Sequence, residues 1–265
     1  MDLRGKTAVV IGGGQTPGET IGNGRASAIA YAQAGARVIV ADRDLASAEE
    51  TRVLLEEANA KLEHHAIAVD VRQESEVIEL INFSQTKAGG LDILHNNVGI
   101  SLAGNDKPVE QIDADDFDQL VQINLRGMVF ACKHVIPVMR RAKGGAIINI
   151  SSLAAKKPYP GVGYKTTKAA VIALTEQLAA QNARYNIRVN AILPGLMNTP
   201  MAIESRVTTK TPREQVIAQR DKQVPLGAKM GTAWDVANAA VFLASEKAGY
   251  ITGVSLPVDG GLNVI

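Results

Sequence analysis

Tyr164 and Lys168 stand four residues apart in "YKTTK", a spacing that puts both side chains on one face of a helix. A free phenol titrates at about 10 and is a poor base at neutral pH. An ammonium beside it favours the phenolate and lowers that value. Such a pair can pass a proton to or from an alcohol oxygen. Twelve residues before the tyrosine lies Ser152, the last residue of "NISS". It follows an apolar run, so its hydroxyl stands at a strand end, where it can hydrogen-bond a carbonyl oxygen. Y-x-x-x-K alone is a weak motif; the serine at this distance sharpens it.

The rest of the chain has to position these groups. Short Val- and Ile-rich runs ("TAVVI", "RVIVA", "HAIAV", "LDILH", "AIINIS", "IRVNAIL", "SLPV") alternate with segments of helical period. That alternation means repeated βαβ units. We expect an α/β fold in a single domain over residues 1–265: a doubly wound, Rossmann-like, seven-stranded parallel sheet with ligands at the carboxyl ends of its strands. "DDFDQLVQINLRGMVFACKHVIPVMRRA" reads as one long helix. The polar excursion 198–231 follows the sixth strand and reads as a lid.

After the first strand comes "GGGQTPGETIGNG". G-x-G-x-x-G does not fit it, because Pro17 stands where a third glycine would follow Gly12 and Gly14. Gly12 opens the loop, and Gly24 at the following helix start suits close packing beside a pyrophosphate. Asp42, eighteen residues beyond Gly24, is placed to accept hydrogen bonds from a ribose and to repel a 2′-phosphate. This favours NAD, with NADP kept as the lesser alternative through Arg43.

Taken together, the glycine loop, "ADRD", "VDV", "NNVG", "INL", "NISS", "YKTTK", "LPGLMNT" and "GVSLPVDGG" resemble, in order and over nearly the whole chain, the single-domain short-chain dehydrogenase/reductases. The resemblance implies a general acid/base at Tyr164, and at Lys168 a residue that lowers its pKa and holds the nicotinamide ribose. It implies a substrate-polarising hydroxyl at Ser152 and an asparagine anchoring a relay water at Asn124. The loop before Tyr164 is one residue shorter than the family's, which keeps Ser151 as an alternative to Ser152. The cofactor would meet Gly12, Gly22, Asn23, Gly24, Asp42, Arg43, Asp70, Val71, Asn97, Gly99, Tyr164, Lys168, Pro194, Gly195, Met197 and Thr199. Ser101, Leu102, Leu153, Ala154, Tyr159 and the lid would line the substrate pocket, with Arg206 able to meet an acid.

Two departures stand out. Seven residues, Gln15–Ile21, occupy a place where the family has one, and we expect this insert to lie over the adenosine phosphates. Ile11 replaces the family's threonine before the loop, and Val98 its usual alanine.

The resemblance implies NAD(H)-dependent conversion of a secondary alcohol and its ketone, in a homotetramer. One alternative is 3-oxoacyl-carrier-protein reduction, although its docking arginines would fall at Ala131 and Ala180. A second is a dinucleotide-binding sensor without turnover. A net charge of +1 leaves no electrostatic footprint for nucleic acid. There is no signal-peptide pattern or membrane span, and one cysteine, Cys132, suits a cytoplasmic, reducing setting. Cys132 and His95 read as core residues, and the remaining histidines have no metal-ligand spacing, so no metal is expected.

Overall fold

The computed structural model describes residues 1–265. Its strands are β1 (Thr7–Ile11), β2 (Arg37–Asp42), β3 (His65–Ala68), β4 (Ile93–Asn96), β5 (Gly145–Ile150), β6 (Ile187–Pro194) and β7 (Ser255–Val258). Every pairing is parallel, in the order β3-β2-β1-β4-β5-β6-β7. This is the doubly wound sheet that the apolar runs predict. The order reverses between β1 and β4, which opens the crevice at the carboxyl ends.

Nine helices accompany the sheet: α1 (Asn23–Gln33), α2 (Leu45–Ala58), α3 (Glu74–Lys87), α4 (Ala114–Val121), α5 (Gly127–Ala142), α6 (Val162–Asn182), α7 (Pro200–Ile203), α8 (Arg213–Asp221) and α9 (Ala233–Ala244). Alternate strand residues feed two cores. Ala8 and Val10 of β1 pack with α1 and α9 on one face, while Val9 and Ile11 pack with α3, α5 and α6 on the other. Both faces are covered, so the strands read as continuous apolar runs.

The sheet interior also carries amides. Asn96 and Asn149 are buried register partners on β4 and β5. Asn96 Nδ2 donates to Asn149 Oδ1 at 2.9 Å, and Asn149 Nδ2 donates to Thr175 Oγ1 at 3.0 Å. The expectations for His95 and Cys132 hold. His95 Nδ1 lies 3.0 Å from the Tyr31 hydroxyl, and burial pushes its pKa down to about 3. Cys132 is buried within α5, and burial raises its thiol to about 12.

The long helix departs from expectation. Between α4 and α5 the residues Gln122–Arg126 form a π turn, so the helix widens around Asn124. Residues 198–231 fold as α7, a short 3-10 turn (Glu204–Arg206) and α8, closed by a small cluster of Ile203, Val216, Val224 and Met230.

Candidate active site

α6 brings Tyr164 and Lys168 together against the end of β5. The Lys168 Nζ lies 5.7 Å from the centre of the Tyr164 ring and donates to the Ile150 carbonyl at 2.8 Å. Burial lowers its pKa from 10.5 to about 8. The phenol moves the opposite way, pushed up to about 12 chiefly by burial. What holds it down is first the Ser152 hydroxyl, and more weakly the charge of Arg206. The Lys168 ammonium, to which the sequence reading gives that task, stands by the ring while donating to a main-chain oxygen.

The two serines separate cleanly. Ser151 is buried and donates to the Lys168 carbonyl at 2.7 Å, so its proton is committed to α6. Ser152 accepts from Ala154 N–H at 3.1 Å, which leaves its own proton free to donate beside Tyr164.

Asn124 is fully buried in the π turn. Its Oδ1 accepts Ile100 N–H at 2.7 Å, and its Nδ2 donates to Ile100 O at 2.9 Å and to Thr167 Oγ1 at 3.2 Å. It therefore ties the turn after β4 to α6. Gly99 belongs to that turn, and a Cβ there would come within 2.9 Å of Lys168 Nζ.

The glycine loop is held from both ends. Gly12 has φ +81°, in the left-handed region that favours glycine. Asn97 Nδ2 donates to Gly12 O at 2.9 Å. Ile11 and Val98, the two departures, belong to the same apolar core region, and this amide bond makes the tie to the turn after β4. Gly24 closes the loop: a Cβ there would stand 1.9 Å from Gly12 O. α1 opens at Gly22–Asn23 with no side-chain cap and no acidic residue in its first turn. Its first N–H groups are oriented for an anion. The Thr20 hydroxyl, Asn23 Oδ1 and Asn198 Oδ1 are buried without partners. Capless donors, a loop admitting no Cβ at Gly24 and orphaned polar atoms together fit a dinucleotide's pyrophosphate and ribose.

Asp42 ends β2, where its carboxylate accepts Gly14 N–H at 2.9 Å and Asp44 N–H at 3.1 Å. It joins the glycine loop to β2. Arg43 is exposed. Asp70 and Val71 lie just beyond β3. The Asp70 carboxylate is gripped by Arg72 at 2.9 and 2.5 Å, and Val71 is buried in the core. Pro194 ends β6, and Gly195, Met197 and Thr199 follow it in one stretch. Gly195 packs against Asp259, Met197 pairs with Gly231, and Thr199 precedes α7.

The insert reaches from the glycine loop to the excursion after β6. Gln15 bonds Ser47 of α2 at 2.8 Å and, through Oε1, accepts Gly22 N–H at 2.9 Å. Gly18 packs against Pro200 and Glu204. Glu19 pairs with Arg213 of α8 at 2.9 Å, and Arg213 also holds Glu204 at 3.2 Å. The insert thus bridges the glycine loop to the excursion after β6.

Sequence reasoning missed two supports. Arg25 is buried and donates to Thr51 Oγ1 at 2.8 Å and Ser47 O at 3.1 Å, joining α1 to α2. Asp106 accepts the N–H groups of Gly163 (2.8 Å) and Tyr164 (3.1 Å), capping α6 from a distant loop. The only local hint is an acid in "GNDKP" with no helix of its own to cap.

A family model described as enoyl-(acyl carrier protein) reductase matches residues 19–263. The 2-(R)-hydroxypropyl-CoM dehydrogenase of Xanthobacter autotrophicus is 34% identical over 256 residues, covering 94% of this chain and 97% of its own. The 3beta-hydroxysteroid dehydrogenase 1 of Eggerthella lenta is 36% identical over 266 residues, 99% of this chain and 95% of its own. Among solved structures, levodione reductase superposes with a TM-score of 0.91 at 30% identity, covering 98% of both chains.

Proposed function

The chain belongs to the short-chain dehydrogenase/reductase family, and from that membership we propose that it transfers a hydride between NAD(H) and a secondary alcohol or ketone, with Tyr164 moving the proton. The observation that carries this reading is the Ser152 hydroxyl, its proton not committed to the main chain, beside the Tyr164 phenol, with Lys168 behind the ring. When bound, the nicotinamide supplies or accepts the hydride. Ser152 donates to the substrate oxygen and orients it. Tyr164 is protonated at neutral pH, since burial holds it up to about 12, so in the reductive direction it can donate to that oxygen. In the oxidative direction it must first lose its proton, which favours that direction as pH rises. Lys168 and Asn124 position the tyrosine's helix and the turn carrying Gly99.

Asp42 supports NAD over NADP, because an acid rather than a base stands at the adenosine end. The segment 198–231 serves as a lid over the strand ends, held by its own small core. We read the chain as one cofactor-binding domain, cytoplasmic and homotetrameric, with contacts through α5, α6 and β7. The half-buried edge strand β7 and exposed Val264 and Ile265 favour that assembly. Carrier-protein docking gains nothing at Ala131, which is wholly buried.

The test is a panel of secondary alcohols with NAD, read by the near-ultraviolet absorbance of the reduced nicotinamide. Y164F should cut turnover by about 100-fold or more while keeping cofactor affinity. Wild-type turnover in Y164F would refute the assignment.

A further inference from the structure

Three arginines stand on the excursion after β6, and their surroundings differ. Arg213 is satisfied, with Glu19 at 2.9 Å and Glu204 at 3.2 Å. Arg206 donates through Nη1 only to Ala202 O at 2.8 Å and Ser205 Oγ at 3.2 Å. Arg220 is half-buried, and its Nε meets only the Met230 sulfur at 3.3 Å. Neither Arg206 nor Arg220 has a carboxylate within 4.0 Å, although Arg213 has two.

The excursion that carries the two unpaired guanidiniums leaves the carboxyl end of β6, the strand paired with β5, whose end carries Ser152. Tyr159 and Tyr164 stack with ring centres 5.2 Å apart, and the Tyr159 hydroxyl lies 2.6 Å from Ser101 Oγ. Arg206 is close enough for its charge to steady the Tyr164 phenolate. Burial, and then the nearness of Arg206, bring Arg220 down to about 10, an unusual value for a guanidinium, while Tyr159 pulls it back up. A guanidinium drawn out of water without a counter-charge, as Arg220 is, is unfavourable by itself. Arg213 shows that this segment can pair an arginine when pairing is its purpose. The guanidinium fork matches the two oxygens of a carboxylate.

We infer that Arg206 and Arg220 form an anion subsite, and that the substrate is a secondary alcohol or ketone bearing a carboxylate-class acidic group. This deepens the hydride-transfer reading and rests on it for the position of the reacting carbon. The acid would be held by the excursion while the oxygen meets Ser152 and Tyr164.

The experiment uses a ladder of methyl ketones whose carboxylate lies progressively further from the carbonyl: 3-oxobutanoate, 4-oxopentanoate, 5-oxohexanoate and 4-acetylbenzoate, each beside its methyl ester. Binding to the NADH complex of full-length Y164F is followed by nicotinamide fluorescence, so affinity is read without turnover. At least one acid should bind about 10- to 100-fold more tightly than its ester, as expected for charge-assisted hydrogen bonds. Adding R206Q and R220Q should collapse that ratio towards one, and R206K with R220K should restore part of it. Esters binding as well as acids at every length overturn the inference. So does an unchanged ratio in the Gln variant with weakened NADH binding, which would give the arginines to the cofactor phosphates. Turnover by wild-type protein is scored separately. An acid preference without turnover supports the subsite and counts against the hydride-transfer reading, whereas turnover without acid preference does the reverse.

Discussion

Gly22 and Gly24 look equivalent in "GNG", yet the structure predicts different responses to a single methyl group. In G24A the new Cβ would stand 1.9 Å from Gly12 O, 2.6 Å from Asn97 Nδ2 and 3.0 Å from Gly12 C. None of these is the yielding end of a long side chain, so α1 and the loop must separate. Overpacking of this kind costs about 1–3 kcal/mol. Moving Gly12 also sacrifices the Asn97 Nδ2 bond to its carbonyl, now 2.9 Å, for about 1 kcal/mol more. Up to about 1 kcal/mol returns from replacing glycine in a helix. The net loss is about 2 kcal/mol, or about 6 °C in Tm at roughly 3 °C per kcal/mol. In G22A the nearest atoms are Gln15 Oε1 at 3.8 Å and Gln15 Cβ at 3.9 Å, ordinary contacts. Gly22 has φ −83° and ψ 156°, which alanine adopts freely, so the gain of about 0.4–1 kcal/mol from a stiffer unfolded chain is offset by alanine's poorer N-cap and G22A should be close to neutral. Thermal unfolding of both variants without cofactor reads the difference directly, and an NADH titration should show weaker binding in G24A. Variants within about 0.5 kcal/mol of each other, or G22A the less stable, would refute the reasoning.

Two further outcomes test the site's surroundings. Burial places Lys168 at about 8 in the folded chain against 10.5 ordinarily, so between those values the unfolded chain binds more protons. The stability difference between wild type and K168M should therefore rise as pH climbs from about 8 towards 10.5, and be least favourable to wild type below about 8; a flat difference would mean a solvated ammonium. For the insert, R213Q should speed amide exchange in 15–21 and 200–206 together, because Arg213 holds Glu19 and Glu204 at once. Loosening confined to one segment would show that the two are not coupled.

The sheet was legible because its strands are short Val- and Ile-rich runs between helix-period segments, a pattern with one economical solution. Tyr164, Lys168 and Ser152 were legible because they share a helix face and a strand end. The helix from Asp115 read as uniform because its apolar period runs unbroken through "QINLR"; the π turn accompanies the bonds of Asn124 to Ile100, a contact no local window contains. Asp106 was invisible for the same reason, since it caps a helix that starts 56 residues later. Spacing gave Tyr164 and Lys168 a shared face but not the direction of the lysine's flexible side chain, which reaches the Ile150 carbonyl. The insert's destination depended on Arg213, nearly two hundred residues away.

The paired amides of β4 and β5 bear on how the site acquires its dimensions. Strands of valine and isoleucine alone have several nearly equivalent alignments, because one apolar side chain substitutes for another at little cost. Asn96 opposite Asn149 removes that degeneracy: a slip of two residues would strand both buried amides, at about 1–3 kcal/mol each. The two strand ends are therefore held level. Asn97 and Gly99 follow one of them, and Ser151 and Ser152 follow the other. The gap between the cofactor half and the proton-transfer half is thus gauged inside the sheet, beneath any loop that could vary with substrate.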